Sequence, residues 1–285
     1  MIEFLELTLV KATPLIFAAL AGVLCERSGI LNIALEGGLT AGAFAAVAVS
    51  FATGNPLLGL AAGMLAGALL CGLLGVAATR FDVNQIVAGT GLNLLAAGGT
   101  AFGIVVVFGQ PGASPEVPAL GARGEGMLVV VALAAAVALA LALDRTPWGL
   151  RLRACGENPH AVLAAGLDPP RIRVLATVFA GALAGLGGVF LSLGELDLYS
   201  DGMTAGRGFI ALAAVIFGRW TPLGACAAAI AFGALSALQF VLQRAGIPSE
   251  LMQALPYLAA LLALTGIAGK ARAPAADGVP FHQPE

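Results

Sequence analysis

The chain has 285 residues, of which 59% are hydrophobic and 11% charged, with a mean hydropathy of +0.96 and a formal net charge of −2. A soluble domain carries roughly 25% charged residues, so this balance excludes a soluble enzyme, a disordered chain and a nucleic-acid binder, and leaves a polytopic membrane protein. The 39 glycines are a further sign, because glycine lets helices approach closely in lipid.

A spanning helix needs about 20 mainly apolar residues. Apolar runs predict passes at 5–24, 30–51, 57–78, 86–108, 126–143, 173–194, 208–219, 222–243 and 251–269. The expected fold is therefore an all-α transmembrane bundle of about nine passes over residues 1–269. The N-terminal Met-Ile-Glu-Phe-Leu-Glu lacks the basic start of a signal peptide, so the first run is expected to remain in the protein. The seventh run is too short to cross alone and reads as a tilted helix or part of a broken one. Segment 109–125 reads as an external loop, and 270–285 as a disordered cytoplasmic tail.

Lys and Arg set the orientation. Asp144 to Arg173 contains Arg145, Arg151, Arg153, Arg171 and Arg173, which places it in the cytoplasm. The remaining inside segments then carry Arg27, Arg80, Arg219, Lys270 and Arg272, while most acids fall outside. The N-terminus is expected outside and the C-terminus in the cytoplasm.

Small residues four apart recur at Gly38/Gly42, Gly59/Gly63/Gly67, Gly99/Gly103 and Gly181/Gly185, which predicts close helix packing rather than any activity. A weak repeat links Asn55-Pro56-Leu57-Leu58-Gly59 to Thr221-Pro222-Leu223-Gly224. With the two units oppositely oriented, this is either an inverted repeat of the kind transporters use or a chance match between Gly/Ala-rich stretches.

The chemistry of an enzyme is missing. The sequence holds no H-E-x-x-H, no G-x-S-x-G and no phosphate-binding G-x-x-x-x-G-K-[ST]. No metal or other cofactor is expected. Cys25, Cys71, Cys155 and Cys226 lack metal or redox spacing and read as buried small residues. Any energy from ATP must come through another chain. The loop 144–173 offers a place for one: Asn158 suits a helix N-cap, Pro159 the first helical position and Gly166 the stop. The short helix between them is either a docking element for a cytoplasmic partner or a helix lying on the membrane surface. Polar groups at membrane depth favour cavities or interhelical hydrogen bonds. Asn32, Glu36, Asn93 and Gln239 are the candidates for a solute path, and their mostly neutral chemistry suits a hydroxyl- or amide-rich solute better than an ion.

The stretch Glu26-Arg27-Ser28-Gly29-Ile30-Leu31-Asn32-Ile33-Ala34-Leu35-Glu36-Gly37-Gly38 resembles the signature of ABC importer permeases for nucleosides and simple sugars. So do Gly156-Glu157-Asn158-Pro159-His160-Ala161, the run 180–188, and the run 203–218 beginning Met203-Thr204-Ala205-Gly206-Arg207-Gly208. Within the branched-chain amino acid and ribose permease superfamily, the chain looks closest to the shorter permease of purine nucleoside importers. Arg219 stands where the family often has Lys, and Gly38 where it commonly has a bulkier residue. The resemblance implies a bacterial inner-membrane subunit with four kinds of partner: a cytoplasmic ABC ATPase, a second related permease, an extracytoplasmic substrate-binding protein and a small-molecule solute. It also implies that Gly156, Glu157, Asn158, Pro159, His160, Ala161 and Leu163 belong to a coupling helix. A ribose-like sugar is the alternative solute. A passive channel and a lipid-directed intramembrane enzyme are the rival activities.

Overall fold

The computed structural model describes residues 2–243, Leu258 and 272–281. Among these residues ten α-helices follow one another: α1 (Ile2–Glu26), α2 (Leu35–Thr53), α3 (Pro56–Arg80), α4 (Gln85–Phe108), α5 (Gly121–Arg145), α6 (Pro147–Glu157), α7 (Pro159–Ala164), α8 (Pro169–Val189), α9 (Arg207–Phe217) and α10 (Pro222–Gln243). A π-helical stretch, Phe190–Leu196, prolongs α8. Seven of the described helices are long and apolar enough to cross a membrane. The expected pass at 251–269 lies outside the described residues.

Local chemistry sets the helix starts. The side chains of Asn55, Asn84, Thr146, Asn158 and Asp168 each accept a hydrogen bond from a backbone N–H of the first helical turn, satisfying donors that have no partner inside the helix. In all but the second case a proline follows, which needs no N–H there.

The chain unwinds at two places, and the first falls inside an expected pass. Residues 27–34 are unwound, so the run at 30–51 becomes helical only at Leu35. In lipid such a break needs side chains to satisfy its backbone. They come from α4 and its start: Gln85 Oε1 accepts from Leu31 N at 2.7 Å, and Asn93 Nδ2 donates to the Ile33 carbonyl at 3.0 Å. The second break covers residues 197–206, ahead of the 11-residue α9. The short seventh run is thus the helical half of a broken element.

The order of elements in α1 to α3, a long helix, an unwound stretch, a second helix and a proline-started third, returns in α8 to α10. The two units interlock crosswise, since the most extensive pairings are α3 with α8 and α1 with α10. Glycine makes this possible. A Cβ on Gly42 would stand 2.6 Å from Gly185 Cα, and one on Gly67 2.8 Å from the same atom. The backbones of α2, α3 and α8 therefore touch, as the Gly59/Gly63/Gly67 and Gly181/Gly185 spacing suggests. Gly99 differs: nothing lies within 4 Å of its would-be Cβ. All four cysteines are free and buried.

At the end bearing α6 and α7, residues 272–281 form a turn with Pro274, Ala276 and Phe281 buried. This departs from the disordered tail expected there. The reason lies in its partners: backbone groups of the turn are held by Arg173 and by the last residues of α6. At the opposite end the loop after α4 clamps the second break. Ser114 N bonds to the Tyr199 carbonyl at 2.8 Å, and Val117 N to that of Asp197 at 3.0 Å.

Candidate functional site

The ends of the two breaks meet where α2 and α9 begin. The N-terminus of α9 begins at Gly206, whose φ of +73° is natural for glycine, and no side chain of its own segment caps it. The cap comes from α2. Glu36 Oε1 accepts from Thr204 Oγ1 at 2.6 Å and from Gly206 N at 2.9 Å, and Oε2 accepts from Gly208 N at 2.7 Å. One carboxylate thus satisfies two of the orphan donors at a helix start and faces its positive dipole end. Gly208 is required by proximity, since a Cβ there would lie 2.6 Å from Glu36 Cα. A second contact, Thr40 Oγ1 to Thr204 Oγ1 at 3.1 Å, lies one helical turn along α2.

Beside this lock lies a cavity of about 420 Å³, lined by Glu36, Thr40, Asn93, Thr100, Asp201 and Thr204, with Ala97, Ala101 and the 202–206 backbone completing the wall. Its volume is in the range of roughly 300–1,000 Å³ found for small-molecule sites. Hydroxyls, one amide and carboxylate edges line it, and no Lys or Arg does. Such a wall can accept hydrogen bonds from a neutral, donor-rich molecule and has no cation to hold a phosphate.

Of the four residues expected on a solute path, Glu36 and Asn93 are on this wall. Asn93 also does backbone work, as its Oδ1 accepts from Gly37 N at 2.7 Å. Asn32 is elsewhere: it is completely buried and donates to Cys25 Sγ at 3.3 Å. Gln239 lies half-buried on α10, away from the cavity lining. Depth and polarity cannot separate these cases, because an amide that fastens two helices looks the same in sequence as one that faces a cavity. The sequence reading missed Thr100, Asp201 and Thr204 as wall residues. A signal existed for the first: Asn93, Ala97 and Thr100 are four and three residues apart and so share a helix face.

The π-helical end of α8 is tied to α1. Lys11 and Glu195 form an ion pair there, both largely buried. Pairing is what makes two charges tolerable at this depth. The pair fixes the point from which 197–206 descends to the cavity.

In the loop, α7 starts and stops where expected. Asn158 Oδ1 accepts from Ala161 N at 3.1 Å, and Gly166 ends the helix at φ +79°. An 11-residue helix, α6, precedes it, capped by Thr146 ahead of Pro147. This was not anticipated, although Thr-Pro is the same signal as Asn-Pro. Between α6 and α7 runs a groove of about 410 Å³ lined by Leu150, Arg151, Ala154, Glu157, Asn158, Ala161, Val162, Ala165 and Leu167. Glu157, Asn158, His160 and Ala161 face outward and Leu163 is half-buried, whereas Gly156 and Pro159 are buried at the junction. A Cβ on Gly156 would run into the Arg27 carbonyl.

Comparison with known proteins finds related permeases. Guanosine ABC transporter permease protein NupQ of Bacillus subtilis is 38% identical, covering 96% of this chain and 94% of that protein. Nucleoside ABC transporter permease protein NupC of Lactococcus lactis is 35% identical over the same shares. Putative glucose ABC transporter permease protein TsgC13 of Haloferax volcanii is 33% identical, covering 82% and 76%. No solved structure matches. The model of the family described as the permease component of the branched-chain amino acid transport system matches residues 4–264. This chain, a multi-pass membrane protein, belongs to that permease family.

Proposed function

We propose that this chain is the membrane-spanning permease subunit of an ATP-driven importer for nucleosides. The observation that carries the proposal is the cavity beside the Glu36–α9 lock at the meeting of two broken helices, in a chain whose relatives include proteins named guanosine and nucleoside permeases. Discontinuous helices meeting at mid-membrane are a common way to build a solute site. The acceptor-rich wall, with two carboxylates and no Lys or Arg, suits a neutral, donor-rich molecule such as a purine nucleoside, with its ribose hydroxyls and ring N–H groups. Glu36 and Asn93 border the path. Asn32, in the first unwound segment, and Gln239, on α10, stand off its wall.

The chain supplies a route and no bond chemistry. ATP binding closes the ATPase dimer in the cytoplasm, α7 moves with it, and the two interlocked units rock to expose the cavity to the other side. The exposed residues of the α6–α7 groove are the docking surface, and loop 144–173 with the C-terminus lies on the cytoplasmic side of a bacterial inner membrane, by the distribution of Lys and Arg. The N-terminus is then external, where a substrate-binding protein delivers solute. A second permease completes the pathway. This chain is similar both to NupQ and, at 29% identity, to the B. subtilis guanosine ABC transporter permease protein NupP, as expected of a heterodimer. The face of α4 with Leu94, Leu95 and Phe102 exposed beside open Gly91 and Gly98 suits that second permease.

The test is uptake by proteoliposomes holding the complete complex, with labelled inosine and guanosine set against ribose and glucose, with and without ATP. ATP-dependent uptake of the nucleosides alone supports the reading. Uptake of sugar alone assigns the sugar function, and equal flux without ATP makes the protein a facilitator. Ala161→Asp should abolish stimulated hydrolysis while leaving the permease correctly inserted.

A further inference from the structure

The C-terminal turn closes a mechanical circuit that the loop alone leaves open. Ala276 N donates to the Gly156 carbonyl at 2.8 Å, and Ala275 N to Glu157 Oε2 at 3.3 Å, both at the end of α6. The Phe281 ring lies 5.0 Å from that of His160 on α7. On its other side the turn meets Arg173 of α8, which is 1% exposed. Arg173 Nη1 donates to the Val279 carbonyl at 3.3 Å, Nη2 to that of Ala276 at 3.4 Å, and Nε to that of Ser28 at 3.1 Å. A buried guanidinium is costly unless its donors are satisfied, and two of these three acceptors belong to the turn. The third, Ser28, heads the unwound segment whose far end leads into Glu36. Next to it, Arg27 Nε donates to the Trp220 carbonyl at 2.7 Å and Glu26 accepts from the Trp220 indole, which joins the end of α1 to the far end of α9.

We propose that residues 274–281 are a coupling strap, with Arg173 as its positioning residue, which passes displacement of α6 and α7 to segment 28–36 and so to the Glu36 lock. The strap rests on the permease reading, because α7 must be moved by an ATPase for there to be anything to transmit. It adds a third connection between loop and cavity, beyond the covalent chain into α8 and the packing of α6. A docked segment that must let go before the lock can open, or must stay docked for it to open, biases a two-state element in the sense that coupling requires.

The experiment uses the full complex in proteoliposomes. The strap is removed by a stop codon at Arg272, and in a second, full-length variant Gly278→Val strains the turn, whose φ is +72°. Arg173→Met empties the junction while keeping its bulk. Basal ATP hydrolysis, hydrolysis stimulated by binding protein and nucleoside, uptake, and the amount of ATPase retained on the purified complex are measured together. The expected result is retained assembly and basal hydrolysis, with uptake per ATP reduced by about tenfold, within the range of ordinary coupling free energies. Unchanged uptake per ATP in the truncated and Gly278→Val complexes overturns the strap. So does a loss of uptake that only parallels loss of the ATPase subunit, which makes the turn an assembly element. Absence of ATP-driven uptake in the unaltered complex defeats the permease reading instead, and is seen before any variant is compared.

Discussion

Glu36→Gln is the sharpest perturbation of the lock. The carboxylate accepts three hydrogen bonds, from Thr204 Oγ1, Gly206 N and Gly208 N. A glutamine keeps one acceptor oxygen. If that oxygen stays with Thr204 and Gly206, its NH₂ group faces the Gly208 N–H, donor against donor. If it flips, Gly206 loses its acceptor. Either way one bond to a charged group goes, at about 1.5–3 kcal/mol, and the charge opposite the α9 dipole goes with it, at about 0.3–1 kcal/mol. A net loss of about 2–4 kcal/mol shifts the closed-to-open balance of the lock by roughly 30- to 700-fold, at 1.4 kcal/mol per tenfold. A permease held shut by this contact should then open without its cue. Basal hydrolysis by the complex should rise, and nucleoside uptake per ATP should fall. Glu36→Asp keeps the charge but is too short to reach all three donors, so it should lie between. Uptake and basal hydrolysis both indistinguishable from those of the unaltered complex for Glu36→Gln would refute the reasoning, because a helix-start donor would then have lost its acceptor, and the dipole its charge, at no cost.

Other outcomes follow from the same geometry. Gly67→Ala should lower the thermal stability of the purified protein by about 1–3 kcal/mol through overpacking, because α3 and α8 meet there backbone to backbone, whereas Gly99→Ala, with open space around it, should leave melting unchanged. Lys11→Met strands Glu195 without its partner and should destabilise more than the double variant Lys11→Met/Glu195→Gln, since removing both charges avoids an unpaired buried ion; equal melting temperatures would argue against a buried pair. Asn93→Ala leaves Gly37 N and the Ile33 carbonyl without their side-chain partners and should cost about 1–3 kcal/mol, read as a lowered melting temperature together with weaker nucleoside uptake. The tail should respond to pH. Burial pushes the Asp277 carboxyl up from 3.8 to about 7, although the nearby Arg173 guanidinium pulls the other way. The docked turn therefore favours the protonated acid, so docking is strongest at low pH and weakens as pH rises towards 7. Glu26 and Cys25 also face this carboxyl. Trypsin cleavage at Arg272 should accelerate between pH 5 and 7, and Asp277→Asn should flatten that rise; a rate that falls with pH after correction for trypsin's own profile would reverse the sign of the argument.

What the sequence revealed and what it hid divide along a physical line. Passes were legible because burial in lipid requires long apolar runs, and α7 because its cap, proline and stop are all encoded within nine residues. The break at 27–34, which takes the start of the expected pass at 30–51, was not, whereas the short run at 208–219 already allowed a broken element ahead of it. The backbone of both breaks is satisfied from a distance, by Gln85 and Asn93 in one case and by the loop after α4 in the other, and an apolar run such as 30–51 carries no mark of where its helix will begin. The same distance explains the site. Glu36 stood out as a charge at membrane depth, which suggested contact with solute, yet all three of its bonds go to the polypeptide 168 to 172 residues away. Its partners are a threonine and two glycine amides, and an amide has no side chain by which to be noticed. A residue kept for a gate and a residue kept for a ligand thus share one sequence signature, an isolated acid in an apolar run, and differ only in whether a helix start lies within reach. Here it does: the carboxylate that caps α9 also stands on the wall of the cavity.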